Sequence, residues 1–131
     1  MASTPSYASN PLAPDIVAIS VANANRDGSG TMVELCAGTA SGVVIEQVRV
    51  KAVGTTTAGM VRFFLSKDNG ATKALLTEVL VTANVAGATN GAWTKVIDDL
   101  EGLTLKDTTT KLYVSTEKAE AFNVFCYKAG L

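Results

Sequence analysis

The chain contains no histidine. That removes imidazole acid–base catalysis, nucleophile triads that rely on imidazole, and zinc sites of the HExxH kind. Cysteine is almost as scarce. Cys36 and Cys126 stand far apart, with no CxxC and no zinc-ligand spacing, and each lies within an apolar run. Two buried, reduced thiols are the expectation, and the sequence leaves a disulfide open. No apolar run approaches the ~20 residues of a membrane span, and the first residues lack the basic start and apolar block of a signal peptide. The net charge is −1, too small to set up a field for nucleic acid or an anionic membrane, so neither is expected as a partner. A soluble protein made in a cytoplasm is the expectation.

Proline is missing from everything after position 14. All three, Pro5, Pro11 and Pro14, lie in the opening stretch MASTPSYASNPLAPD. Proline removes backbone donors and favours extended chain. Residues 1–15 therefore read as an extended arm and 16–131 as one domain, a size that suits 131 residues with 47% hydrophobic content. The arm is either a frayed terminus or a docking segment for a neighbouring subunit, with Tyr7 and Leu12 as anchors.

Beyond the arm, the chain is rich in period-two alternation. In IVAISV (16–21), Val17, Ile19 and Val21 share a face. In TMVELCA (31–37), Val33 and Leu35 oppose Met32, Glu34 and Cys36. In VVIEQVRVKAV (43–53), Val48, Val50 and Ala52 oppose Gln47, Arg49 and Lys51. In MVRFFLS (60–66), Val61, Phe63 and Leu65 form the apolar side. Further strands are predicted at 74–81, 93–97, 100–105, 111–115 and 121–128, with a helix at 71–80 as the only competing assignment. Glycine-, asparagine- and threonine-rich stretches recur every ten to fifteen residues between them. That rhythm predicts an all-β fold, a single antiparallel β-sandwich or jelly roll of about 8–9 strands.

The stretch NANRDGSGTMVE (23–34) comes close to a calcium-loop pattern, with Asn23, Asn25, Asp27 and Glu34 in ligand positions and Gly28 at the turn. Such loops need flanking helices to aim their ligands, and here both flanks read as strands. The first ligand is also neutral. A strand-to-strand turn at Asp27-Gly28 is therefore expected, with no metal and no cofactor. Asn69-Gly70 in SKDNGATK marks a two-residue hairpin, and no phosphate-binding GxxxxGK[ST] is present. The carboxylates Asp98, Asp99, Glu117 and Glu120 fall in polar turns and do not form an acid/base pair, so no enzyme is expected. Trp93, the only tryptophan, is either a core residue at a strand start or an interface anchor.

The segments FFLSKDNGATKALLTEVLV (63–81) and LEGLTLKDTTTKLYVSTEKAEAFNVFCYKAGL (100–131) resemble the small β-sandwich virion proteins of tailed bacteriophages, of the head-decoration, head-fibre or minor tail type. The resemblance covers about half of the chain and rests on strand and turn patterns. It implies a structural protein of the virion, foremost a capsid decoration protein that binds and stabilises the head lattice in many copies. Its partners would then be the major capsid protein or other virion proteins, and its own assembly state a homo-oligomer, by analogy a trimer. Pro5, Tyr7, Pro11, Leu12, Pro14 and Trp93 are the expected contacts. The alternatives are a neck or tail protein, and a carbohydrate- or receptor-binding module whose loops AGTASG, GTTTAG and ANVAGATNGA cluster at one end.

Overall fold

The computed structural model describes residues 10–131. They form ten strands: β1 (Asn10–Pro11), β2 (Asp15–Ile19), β3 (Val33–Ala37), β4 (Val43–Ala52), β5 (Gly59–Ser66), β6 (Ala74–Val81), β7 (Thr94–Val96), β8 (Thr104–Leu105), β9 (Lys111–Thr116) and β10 (Phe122–Gly130). Two antiparallel sheets hold them. In the first, β10 and β4 are the central pair. β1 and β2 line one side of β10, and β7 and β8 line the far side of β4. The second has the order β3-β9-β5-β6. The strand count exceeds the expected 8–9 because both flanks of the first sheet are interrupted. The predicted strand at 100–105 is broken by a 3-10 turn at Asp98–Leu100 and keeps only β8. The segment 71–80 takes the strand option, since LLTEVLV supplies strand-favouring residues beside β5.

Alternation builds the core where it was expected. Val48, Val50 and Ala52 are buried, and Ile45 joins them; Phe122, Val124 and Cys126 of β10 lie beside them. Val61 and Phe63 of β5 and Leu112 and Val114 of β9 close the core from the second sheet. Three departures matter. Val21 lies past the end of β2 and is 57% exposed, so it does not join Val17 and Ile19. In β3 a register shift between Glu34 and Cys36 breaks the alternation, and Leu35 and Cys36 are both buried. A bulge places an extra residue in one strand, and here it turns Cys36 into the core instead of leaving it beside Glu34. The third departure is that Arg62 and Phe64, on the other side of β5 from Val61 and Phe63, are buried too.

The burial of Arg62 has its cause in the connection between β2 and β3. Asn23 donates its backbone N–H to the Thr116 carbonyl at the end of β9. Arg26 reaches Glu78 on β6, and Gly28 lies so close to the Lys73 carbonyl that a Cβ would overlap it. The connection therefore runs from β9 to β6 across the outer side of the second sheet and covers Arg62.

Candidate functional site

The loop at 23–34 is held by its own polar side chains. Asn23 is buried, and its side-chain amide donates to the carbonyls of Ser29 at 3.1 Å and Thr31 at 2.9 Å. Its Oδ1 accepts the Asn25 backbone N–H at 3.0 Å. Asp27 accepts both the hydroxyl and the backbone N–H of Ser29, which lowers its pKa. Gly28 and Gly30 take positive φ, +87° and +86°. Glu34 does not join this loop. It lies on β3 opposite Tyr113, with Oε1 3.2 Å from the Lys111 ammonium. Asn23, Asn25 and Asp27 thus share one loop, while Glu34 is engaged on the sheet.

The 66–73 segment makes the β5–β6 connection as a longer loop than the two-residue hairpin expected from Asn69-Gly70. Both residues have the positive φ that such a turn uses, +62° and +89°, but the strands end at Ser66 and resume at Ala74. Asp68 explains the difference. Its Oδ1 accepts the Thr72 N–H and the Ser66 hydroxyl, each at 2.8 Å, and these bonds lower its pKa to about 2. The Asn69 N–H donates to the Thr109 carbonyl at 3.0 Å, which pins the loop to its neighbour at 106–110.

Of the four carboxylates singled out in the sequence, Asp98 and Asp99 share one turn, while Glu117 and Glu120 engage other partners. Asp99 accepts a hydrogen bond from the Thr77 hydroxyl at 2.7 Å, beside exposed Asp98 in the 3-10 turn. Glu120 accepts the N–H and hydroxyl of Thr57, at 2.9 and 2.7 Å. Glu117 lies 3.7 Å from Arg62.

The expected contact residues divide into three groups. Pro5 and Tyr7 lie outside the described residues. Pro11 and Leu12 lie along this chain's own β10: Pro11 is opposite Ala129, Leu12 donates its N–H to the Lys128 carbonyl, and the Leu12 side chain packs on the core. Pro14 is exposed just before β2, which begins inside the expected arm at Asp15. Trp93 is half-buried against the core, edge-on to Phe122 with ring centroids 6.0 Å apart. Its indole is thus an internal contact.

The three loops do not gather at one end. GTTTAG and ANVAGATNGA meet, with Thr56 and Asn84 exchanging backbone hydrogen bonds at 2.9 and 3.0 Å. AGTASG lies at the other end of β4, where Gly42 accepts the Leu131 N–H. The length of β4, ten residues, separates the two groups.

No family model, curated protein or solved structure matches this chain.

The surface that sequence reasoning missed is the β6 edge. β6 closes one side of the second sheet, and among the described strands only β5 pairs with it. Leu76 and Leu80 are 42% and 56% exposed, and Leu75 and Val79 are half-buried. A groove of about 410 Å³, lined by Leu65, Ala74, Leu75 and Leu76 among others, runs along the start of the strand. An edge strand with no second described strand paired to it and apolar side chains at six of its eight positions can act as a template for another strand. The signal was present in ALLTEVLV, whose apolar residues occupy both parities. What the sequence could not supply was the position of that strand at an edge.

Proposed function

We propose that this protein is a structural component of a bacteriophage virion, foremost a capsid decoration protein that binds the head lattice in many copies. The observation that carries the reading is β6, an edge strand with exposed Leu76 and Leu80 in a small β-sandwich. An edge of this kind takes up an extended segment through main-chain hydrogen bonds, with pockets for alternate side chains. The proline-containing start of a neighbouring copy, or an arm of the major capsid protein, is the segment proposed for it. Many such contacts, each weak, sum through multivalency.

The topology adds support. The orders β2-β10-β4-β7 and β3-β9-β5-β6, with most connections crossing between the sheets, follow the jelly roll, an architecture used by viral capsid and lectin domains. A fold shared by several functions does not choose between them, so the weight stays on the edge. Location at the neck or tail would use the same edge.

Immunogold labelling of purified phage particles, with antibody raised against this chain, tests the proposal. Regular label over the heads is the expected result. Absence of the chain from purified particles overturns it.

A further inference from the structure

β2 and β10 place Asp15 directly opposite Cys126. The bulge in β3 brings Cys36 to the same point from the facing sheet, with the two sulfurs 3.5 Å apart. A carboxylate oxygen of Asp15 and both sulfurs all lie within 4.8 Å of one another. Among the described residues, no other group of three cysteine and acidic side chains comes together in this way. We infer that Cys36, Cys126 and Asp15 form a binding site for a thiophilic divalent cation of the zinc type, which clips the two sheets together.

Three observations carry this. The first is the ligand set. Zinc takes thiolate and carboxylate ligands in tetrahedral geometry, with bonds to sulfur of about 2.3 Å, which sets two sulfurs about 3.7 Å apart. Cys36 and Cys126 already stand near that separation. A disulfide would require them to approach to about 2.05 Å. Two thiols in simple contact have a similar spacing; what sets this pair apart is the partly exposed Asp15 carboxylate at the rim of the core, placed to supply a third, anionic ligand.

The second is charge. Lys128 donates to Asp15 Oδ2 at 2.6 Å and neutralises it while the thiols keep their protons. When the cation binds, two S–H bonds break, two sulfur–metal bonds form and two protons leave to solvent, with no electron transfer. The two new thiolate charges cancel those of the cation, so the cluster is electroneutral before and after. The Lys128 bond also orients the carboxylate, as outer partners of metal ligands do.

The third is access. Both cysteines are buried, but the Asp15 side chain is 31% exposed and the Lys128 side chain 16%. A cation enters past Asp15, and water fills the remaining coordination position on that side.

The test uses the full chain, reduced and stripped with chelator, and then given cobalt(II) or zinc(II) as the probe. One equivalent of cobalt is expected to produce a thiolate-to-cobalt charge-transfer band. One equivalent of zinc should abolish that band and raise the melting temperature until chelator is added back. Cys36→Ala should lose the band. Because that change also alters the core, Asp15→Asn serves as the second variant. It keeps the side-chain size and is expected to weaken zinc binding about tenfold or more, within the range seen for altered metal sites. Absence of the band in the wild-type chain overturns the inference, as does unchanged zinc affinity in Asp15→Asn. A chain that has lost two hydrogens by mass and takes up no metal also overturns it, since the pair would then be a disulfide.

Discussion

Glu78 Oε1 lies 2.6 Å from the Nε of Arg62 and 2.8 Å from the Nε of Arg26. One carboxylate oxygen thus joins a buried arginine on β5 to an exposed one on the β2–β3 connection. The two hydrogen bonds, that from Arg26 first, hold the Glu78 pKa below its usual range. Removing one partner of a buried pair leaves an uncompensated charge and costs about 3–5 kcal/mol when both are enclosed. Glu78 is partly exposed and Glu117 stands near Arg62, so Glu78→Ala should cost about 2–3 kcal/mol, below that range. Adding Arg62→Met should restore most of the loss, because the stranded charge goes with it. Chemical denaturation of the two variants checks this.

Acid should weaken the fold through Asp68. Its folded pKa, about 2, lies below the unfolded value of ~3.9. A lowered carboxylate pKa contributes stability that is fully present above the unfolded value and is lost as pH falls through the folded one. Asp27 and Asp107 are shifted in the same direction by the hydroxyl and N–H groups of Ser29 and of Thr109 and Thr110. The melting temperature should therefore hold steady down to about pH 4 and decline towards pH 2. Asp68→Asn should show a shallower decline, measured by thermal melts across that range.

Gly28→Ala tests the seat of the β2–β3 connection. The substitution carries a left-handed backbone cost of about 1–2 kcal/mol. Its Cβ would also overlap the Lys73 carbonyl, which is backbone and yields little. A loss of at least that size is expected by denaturation. Gly87→Ala, with open space around it, should be close to neutral.

Much of this architecture is legible in the residues. VRVKA (48–52) alternates cleanly because β4 is central, with one side on the core, and period two then reports burial; a register shift between Ile45 and Gln47 changes the parity, so Val43 and Ile45 are buried as well. The signal fails where geometry is added from elsewhere. The β3 bulge cannot be seen in TMVELCA, and with it goes the meeting of Cys36 with Cys126 and Asp15. The burial of Arg62 depends on a connection that returns across the sheet, which no local pattern encodes. AGTASG and GTTTAG look alike in composition, and only the run of β4 shows that they lie at opposite ends. Asp68 turned an Asn-Gly hairpin into a longer loop through side-chain bonds that compete with the two-residue turn.

The β6 edge should respond to charge. Leu76→Lys and Leu80→Lys together place cations along an open edge, a common means of blocking strand addition. Both side chains are exposed, so the fold should be kept, with a stability change within about 0.5 kcal/mol per surface site. Binding to partner particles should fall sharply, measured by co-sedimentation.

Assembly through the N-terminal segment and the open β6 edge is best decided by solution mass from light scattering. The full chain is compared with residues 10–131, which keep β1 and every described contact. A homo-oligomer, by analogy a trimer, is predicted for the full chain and a monomer for the truncated one. Monomers in both cases would contradict assembly by that route.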